Sequence, residues 1–324
     1  MHSFIYYSSF ISLPFLGLLI FYSYKNRKKI IKNKIITLLI LLLFFVTIIF
    51  IYARFIERNL IFINKHTIKI GFNAKIVVIS DLHLGVYWKN KYFLKRIVKK
   101  INSIKNIDAV VIPGDFTYDP RKSLDKLFDP LKEIKVPIFA VLWNHDNDWL
   151  PIQNELQKIR EKRKELQKAL EKNDVIFLQN TSSIIKNKNI KILWLWDNWA
   201  WEDDVSKIDN FSEDDNLIVI THNPDTTMKY NSSIPDLTIA GHTHGGQIRL
   251  PFLYKKAIPC IYDFDKWLHR LVPWIASFTS IKNKKNVLYT KHHYWLVFVS
   301  SWVGEVGLPM RLGIPPVIDV LELK

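Results

Sequence analysis

The chain has 324 residues, a formal net charge of +16, 48% hydrophobic residues and a single cysteine. This length fits one large domain or two ordinary ones together with an anchoring segment. The lone Cys260 excludes an internal disulfide framework and a cysteine-based zinc site. Because lysine and asparagine are abundant along the whole chain, the positive charge by itself does not indicate a nucleic-acid-binding protein.

The first 53 residues contain no acidic residue and carry two apolar runs, at residues 4–24 and 35–52. The second run has 18 residues, which is just long enough to cross the hydrocarbon core of a bilayer. No small-residue cleavage site of a signal peptide follows either run, so we expect two transmembrane helices. A basic loop joins them, with Lys25, Arg27, Lys28, Lys29, Lys32 and Lys34.

The basic loop also predicts an orientation. Loops rich in Lys and Arg stay in the cytoplasm, which places the N-terminus and everything after residue 52 outside. Arg54, Arg58 and Lys65 favour the opposite orientation, and the topology inverts if residues 4–24 do not span. Beyond the loop, 40 basic residues face 30 acidic ones. This surplus suits a domain lying near anionic lipid, and it equally suits an ordinary solvated surface.

After the anchor, predicted strands and helices alternate. Short apolar runs bounded by turn residues are typical of buried strands, and this alternation predicts an α/β domain with largely parallel strands. The predicted elements are a strand or hairpin at 59–72, strands at 76–79, 108–112, 137–142, 175–178, 183–185, 190–196, 217–220 and 236–240, and helices at 89–104, 124–134 and 153–172.

Two segments have alternative interpretations. The charged helix at 153–172 is either a basic surface that binds lipid or a partner or, as its composition favours, a surface helix with a solvated charged face. Residues 260–280 are rich in aromatic and aliphatic side chains, and we expect a helix there. That helix contacts the membrane interface or a lipid substrate, or else covers the sheet. Its apolar face contains Trp267, Leu271, Trp274, Ile275 and Phe278.

Five apolar runs are each followed at once by residues that can bind metal ions. In an open α/β sheet, the carboxyl ends of the strands lie along one rim, where ligands bind. Asp with His is a ligand mixture that suits Zn, Mn and Fe rather than Ca or Mg. Each motif alone has an ordinary structural explanation, but their joint occurrence predicts a metal site. The motifs are Asp81-Leu82-His83, Gly114-Asp115, Asn144-His145-Asp146, His222 and Gly241-His242-Thr243-His244.

In this order and strand context, the five motifs resemble the calcineurin-like metallophosphoesterase family over residues 74–324. Val299-Ser300, Gly307-Leu308-Pro309 and Pro315-Pro316 are similar to the membrane-anchored bacterial branch. The resemblance implies two mixed β-sheets packed as a sandwich and flanked by helices, preceded by two transmembrane helices. We expect a membrane anchor at 1–53, a juxtamembrane segment at 54–73 and the phosphoesterase domain at 74–324.

The resemblance also implies two divalent metal ions, Mn, Fe or Zn. Paired ions lower the pKa of a shared water to give a hydroxide nucleophile and stabilise charge on the phosphate. His145 resembles the family's general acid for the leaving oxygen. Asp146 either orients His145 or is a simple turn carboxylate. Position by position, the implied ligands are Asp81, His83 and His244 for one ion, Asn144, His222 and His242 for the other, and Asp115 between them.

The sequence departs from the family pattern at two places. Trp143 stands where the family has glycine, so the indole either crowds the turn that aims Asn144 or forms a wall of the substrate pocket. Ser301-Trp302 replaces the Arg-Gly that usually follows Val-Ser, and an arginine that helps to place substrate phosphate would be absent. Neither change removes a ligand.

The predicted function is hydrolysis of a phosphodiester or pyrophosphate bond, on a lipid-linked substrate, at a bacterial cytoplasmic (inner) membrane with the catalytic domain on the extracytoplasmic side. One alternative is a UDP-2,3-diacylglucosamine pyrophosphatase of lipid A synthesis, if the domain faces the cytoplasm. Another is a catalytically impaired family member that serves as a membrane interaction scaffold. We expect the lipid bilayer and a phosphate-ester substrate as partners, with no protein partner. A nuclease is disfavoured, and no nucleic acid is expected, because basic residues are not concentrated in one cluster.

Overall fold

The computed structural model describes residues 2–85, 90–118, 123–142, 146, 156–177, 180–196, 203–230, 232, 234–250, 254–262, 264–272, 275–280 and 295–324. Within these residues, an N-terminal pair of apolar helices leads into a larger part built from two β-sheets.

The helix pair contains two helices that are long and apolar enough to cross a membrane, Ile5–Lys25 and Lys34–Asn59. They agree with the two apolar runs in the sequence. The second helix is capped by Asn33, whose side-chain oxygen accepts hydrogen bonds from the backbone N–H groups of Ile35 and Ile36. The α-helical segments of the whole helix pair are α1 (His2–Ser8), α2 (Ser12–Lys25), α3 (Arg27–Lys32) and α4 (Lys34–Ile51).

The second apolar helix continues past α4 through a π-helical turn and a 3₁₀ turn that pack on the C-terminal segment of the chain. The carbonyl oxygen of Ala53 accepts a hydrogen bond from Arg311 N at 3.1 Å. Glu57 Oε1 accepts another from Ile314 N at 2.7 Å, and both groups are buried. These bonds fix the end of the helix to the segment that precedes the last strand.

The first sheet is formed by six of the described strands, β1 (Phe62–Ile68), β2 (Ala74–Val78), β3 (Ala109–Ile112), β4 (Ile138–Ala140), β5 (Val175–Phe177) and β13 (Val317–Leu323). Their order is β1-β13-β2-β3-β4-β5. Strands β2 to β5 are mutually parallel, as the alternation with helices predicts, and β13 runs antiparallel to β2.

The second sheet is formed by β6 (Ser182–Ile185), β7 (Ile190–Trp194), β8 (Leu217–Ile220), β9 (Leu237–Ala240), β10 (Trp267–Val272), β11 (Ile275–Ser280) and β12 (Trp295–Val299) in the described part of the chain. Their order is β11-β10-β12-β9-β8-β7-β6. The central strands β12, β9, β8 and β7 are parallel, and antiparallel strands lie at both edges.

The two sheets pack face to face, because alternate side chains of a strand point to opposite faces. Ile76 and Val78 of β2 belong to the apolar layer between the sheets, together with Ile218 and Ile220 of β8. Val77 lies on the outer face, in a core that includes residues of two helices, α5 (Asn90–Asn102) and α6 (Leu156–Glu171). The predicted sandwich of two mixed sheets flanked by helices is confirmed.

Both helices that cover the first sheet were predicted. Leu94, Ile97 and Ile101 of α5 are fully buried, at the spacing of an amphipathic helix. Leu166 and Leu170 of α6 are also buried in the same core. Helix α6 is therefore a surface helix with one packed face, the second of its two interpretations.

Two predicted helices are wrong. Residues 124–134 contain only turns and a short 3₁₀ segment (Asp129–Glu133), because Pro130 has no N–H to donate and the segment is too short to continue. Residues 260–280 contain the hairpin of β10 and β11, with β10 paired to β12. The spacing of apolar residues there fits the period of a helix as well as that of a strand. These residues form strands because β12 offers an open sheet edge with which β10 pairs. Trp274 lies outside the described residues.

The last strand carries a buried carboxylate, and this gives a test of the fold. Asp319 Oδ1 lies 3.0 Å from His66 Nε2, and its Oδ2 accepts a hydrogen bond from Ser300 Oγ at 2.9 Å. We expect Asp319→Ala to lower the free energy of unfolding by about 2 kcal/mol, since it leaves two polar partners unsatisfied. Glu322 on the same strand makes only a half-exposed pair with Lys75, so Glu322→Ala should cost less than about 0.5 kcal/mol. Equal losses in chemical denaturation would contradict the structural role of Asp319.

Candidate metal centre

The loops after β2 and β3 are held side by side by backbone hydrogen bonds. Asp81 N donates to Gly114 O at 3.2 Å, and His83 N donates to Asp115 O at 3.0 Å. Leu84 and Thr117 then form an isolated parallel bridge. Parallel pairing thus continues past the ends of the strands. It places the Asp-x-His motif directly beside the Gly-Asp motif.

Most of the candidate ligands have unusual backbone conformations. A non-glycine residue with positive φ is uncommon and costs free energy, and such residues cluster at functional sites. Among the described candidate ligands, His222 alone has ordinary backbone. The other five have φ between 43° and 69°: Asp81, His83, Asp115, His242 and His244.

Two glycines allow the backbone to approach Asp81 closely. A Cβ at Gly241 would lie 2.6 Å from Asp81 Oδ2, which the neighbouring His242 N contacts at 3.3 Å. A Cβ at Gly304 would overlap the carbonyl oxygens of Asp81 and Leu82. Gly304 N also donates to Asp81 O at 2.9 Å, so the C-terminal segment supports the Asp81 loop from behind.

The side chains of the predicted ligands converge. One ligand atom from each of Asp81, His83, Asp115 and His244 lies within 4.8 Å of the others. His222 Nε2 is 3.3 Å from Asp115 Oδ2 and 3.6 Å from Asp81 Oδ1. Of these residues only His244 is more than slightly accessible.

These separations fit ligands that share metal ions. Two ligand atoms that are each about 2.1 Å from one ion lie about 3.4 Å apart at a tetrahedral angle. The His244 Nε2 to Asp81 Oδ1 distance is 3.3 Å, and His83 Nε2 to Asp115 Oδ2 is 3.6 Å. Carboxylates and imidazoles are also the donor set that Zn, Mn and Fe accept. The residues present therefore fit divalent metal ions.

His222 is oriented by a contact outside the cluster. Its Nδ1 lies 2.5 Å from the carbonyl oxygen of Pro113, and a carbonyl can only accept, so Nδ1 carries the hydrogen. The other ring nitrogen, Nε2, therefore faces the carboxylates. This arrangement is typical of metal-binding histidines, whose second nitrogen is held by a backbone carbonyl or a carboxylate. The ring of His242 lies 5.0 Å from that of His222.

The charges within the cluster are strongly coupled. Burial raises the pKa of Asp81, but attraction to His222 and His244 outweighs burial and lowers the pKa to about 2. Burial lowers the pKa of His222, but Asp115 and Asp81 raise it to about 9. Burial, followed by repulsion from His222 and His244, lowers the pKa of His242 to about 3. The two carboxylates thus require positive charge beside them.

Trp302 packs on two of the candidate ligands, a contact that the sequence did not predict. Its ring stacks on His244 with centroids 3.4 Å apart and an interplanar angle of 11°. It also meets the edge of His83 at 5.3 Å. Trp302 is fully buried with φ of 64°. Sequence reasoning treated Ser301-Trp302 as the loss of an arginine, but the indole fixes the orientation of two imidazoles.

Arg311 also packs against Trp302. Its guanidinium lies 5.1 Å from the Trp302 ring and is fully buried. It donates hydrogen bonds to the carbonyl oxygens of Ser301, Gly304 and Ile314. The Arg311 side chain thus stabilises the loop that contains both Trp302 and Gly304.

Asp146 contacts the loop that follows β3. Its Oδ1 accepts hydrogen bonds from the backbone N–H and the hydroxyl of Thr117, at 2.9 and 3.1 Å. Asp146 therefore ties the end of its own motif to the loop that carries Asp115. Trp143, Asn144 and His145 lie outside the described residues.

Comparison with known proteins identifies the family to which the chain belongs. Residues 74–246, more than half of the chain, match the model of the calcineurin-like phosphoesterases. The chain belongs to this family. It is a metallophosphoesterase, a hydrolase of phosphoric esters, and its family uses divalent metal ions. The resemblance carried by the five motifs is thereby confirmed.

Three curated bacterial relatives show the level of similarity. "Uncharacterized metallophosphoesterase Cj0846" of Campylobacter jejuni is 28% identical over 78% of this chain, which spans only 59% of that protein. "Phosphodiesterase YaeI" of Escherichia coli is 26% identical over 77% of this chain and 82% of its own length. "UDP-2,3-diacylglucosamine pyrophosphatase LpxG" of Chlamydia muridarum is 27% identical over 62% of this chain and 74% of its own length.

The stacking of Trp302 on His244 predicts an effect on metal binding. Changes to groups that orient metal ligands typically weaken binding 10- to 100-fold, so we expect Trp302→Ala to lower the affinity for Mn²⁺ by about tenfold or more. Trp302→Phe keeps a flat ring and should recover most of that loss. Calorimetric titration of the metal-free protein measures both. Unchanged affinity in a folded Trp302→Ala variant would show that the indole only fills space.

Proposed function

We propose that this chain is a membrane-anchored, dinuclear metal-dependent phosphoesterase that hydrolyses a phosphodiester or pyrophosphate bond of a lipid-linked substrate. The observation that carries the proposal is the convergence of two carboxylates and four imidazoles from four separate loops in one buried cluster. These are Asp81, His83, Asp115, His222, His242 and His244.

We assign Asp81, His83 and His244 to one ion and His222, His242 and Asn144 to the other. We assign Asp115 to the position between the two sets, which is supported by its Oδ2 lying 3.6 Å from His83 Nε2 and 3.3 Å from His222 Nε2. Two cations close together repel each other unless an anion lies between them, and a carboxylate at this place supplies the negative charge. The assignment of Asn144 rests on its motif.

Two divalent ions held by these residues would supply a hydroxide nucleophile at neutral pH and would withdraw charge from the phosphate oxygens. The protein holds the ligands rigidly, through the paired loops after β2 and β3 and the stacked Trp302. We assign His145 as the donor of a proton to the leaving oxygen, because it follows Asn144 directly in the motif. Asp146, the residue that follows His145, is held in place by two hydrogen bonds that it accepts from Thr117.

A lipid-linked substrate and a membrane location are supported by the N-terminal helices. Both are long and apolar enough to cross a bilayer. Helix α5 carries basic residues and no acidic ones, which suits a surface near anionic lipid. The basic loop between the helices favours an extracytoplasmic domain at the bacterial cytoplasmic membrane.

One alternative is supported by a specific comparison. The similarity to the pyrophosphatase LpxG favours hydrolysis of a nucleoside-diphosphate-linked lipid, if the domain faces the cytoplasm. The scaffold alternative has less support, since a scaffold without chemistry does not need strained backbone at five candidate ligands.

The test is hydrolysis of bis(p-nitrophenyl) phosphate by the full-length protein in detergent, with and without added Mn²⁺. We expect metal-dependent turnover that falls about a hundredfold or more in Asp115→Asn, since the ions lose the carboxylate between them. Asp125→Asn is the matched control, because Asp125 makes only an exposed pair with Lys172.

If no turnover is observed, the metal content of the protein decides how that result is interpreted. No turnover by a protein that still binds two ions would restrict the activity to a specific lipid pyrophosphate. No turnover together with metal content near zero would overturn the enzymatic proposal and favour the scaffold.

A further inference from the structure

A cavity of about 300 Å³ lies between the N-terminal helix pair and the metal centre. The first apolar helix contributes Tyr6 and Phe10 to its wall, and the end of the second contributes Arg54 and Phe55. His83, one of the candidate metal ligands, also lines it. The cavity therefore borders both the N-terminal helices and the loop that carries His83, whose side chain itself is buried.

The wall of this cavity is cationic. Arg54, Arg58 and Arg96 all line it, and the acidic residue that lines it is Glu305. Arg58 is paired with Glu305 at 2.6 Å. Arg96 donates to the backbone oxygen of Asn59 at 2.6 Å and is not paired with a carboxylate among the described residues. The cavity thus has more positive charge than its own carboxylate balances.

Arg54 is the most unusual of the three arginines. It is only 2% exposed, and its guanidinium carbon lies 4.6 Å from the Tyr6 ring and 4.8 Å from the Phe55 ring. Its hydrogen bonds go to Ser9 Oγ at 2.6 Å and to Tyr6 O at 3.4 Å, both uncharged. No described carboxylate lies within ion-pair distance of it. A buried guanidinium that makes no direct ion pair is costly, and an anionic ligand in the cavity would offset that cost.

The membrane end of the cavity is aromatic. The rings of Phe10 and Phe55 meet edge to face at 5.3 Å, and Phe10 remains 43% exposed. Phe10 lies on a helix whose outer face is largely apolar and exposed. An apolar chain that leaves the cavity past Phe10 would therefore continue along that helix into the bilayer.

We propose that this cavity binds the head group of a phosphorylated membrane lipid, with its phosphate near Arg54 and Arg96 and its apolar chain along Phe10 and Phe55. A volume of this size suits a small polar head group and the first carbons of a chain. A water-soluble phosphate ester would use the arginines but not the aromatic wall. The proposal rests on the proposed function, because the cavity borders the loop that carries His83, beside the metal centre where the ester would be cleaved.

The experiment compares two inhibitors of bis(p-nitrophenyl) phosphate turnover by the full-length protein in phosphatidylcholine nanodiscs. Inorganic phosphate probes the metal centre and the arginines, and dodecyl phosphate probes the same groups together with the aromatic wall. We expect dodecyl phosphate to inhibit about a hundredfold more strongly, which corresponds to burial of about four methylene groups. Phe10→Ser should reduce that ratio by about tenfold.

Phe21→Ser is the matched control, since Phe21 is exposed on the same apolar helix and does not line the cavity. It should leave the ratio unchanged. Arg54→Gln should weaken both inhibitors by about tenfold, as loss of a charged hydrogen bond does, whereas Arg27→Gln in the basic loop should weaken neither.

Partition of dodecyl phosphate into the bilayer also raises its apparent potency, but it would do so equally in the Phe10 and Phe21 variants. Equal ratios in these variants, or equal potency of the two inhibitors, would overturn the cavity assignment and leave the phosphoesterase intact. Absence of turnover by the unmodified protein together with metal content near zero would instead overturn the proposed function and this assignment with it.

Discussion

The two buried carboxylates Asp81 and Asp115 impose the constraint on which the site depends. They lie on neighbouring loops in a setting where burial penalises their charge, so they need positive charge beside them. Beside these carboxylates the pKa of His222 is raised to about 9, because Asp115 and Asp81 favour its charged form. Divalent metal ions would supply more positive charge at this place. The distances of 3.3 to 3.8 Å between ligand atoms fit ligands that share metal ions.

The architecture supports this constraint from several directions. Parallel pairing of β2 with β3 continues into the loops and holds the two carboxylates at a fixed separation. The C-terminal segment packs behind them, with Gly304 in contact with the Asp81 backbone and Trp302 stacked on His244. The same segment binds the end of the second apolar helix through Arg311 and Ile314. The metal centre and the helix pair are therefore joined by a short run of packed residues.

Much of the fold and the site could be predicted from the sequence, because the relevant signals are local. Buried parallel strands appear as short apolar runs, and each motif follows directly after its strand. The contacts that join distant segments could not be predicted. Trp302 and His244 are far apart in the sequence, and nothing in the neighbours Ser301 and Val303 indicates a stacking partner. The hairpin of β10 and β11 was missed for a similar reason, since the free sheet edge that receives it exists only in the folded protein.

The position of Asp115 between two ions is the central claim, and electron paramagnetic resonance of the protein loaded with Mn²⁺ tests it most directly. A carboxylate shared by two Mn²⁺ ions a few ångströms apart allows their spins to couple, so the spectrum should differ from that of an isolated ion. In Asp115→Asn, we expect the coupling to disappear. A spectrum of isolated Mn²⁺ in the unmodified, fully loaded protein would show that the centre holds one ion, or two that are not bridged, and would contradict the dinuclear assignment.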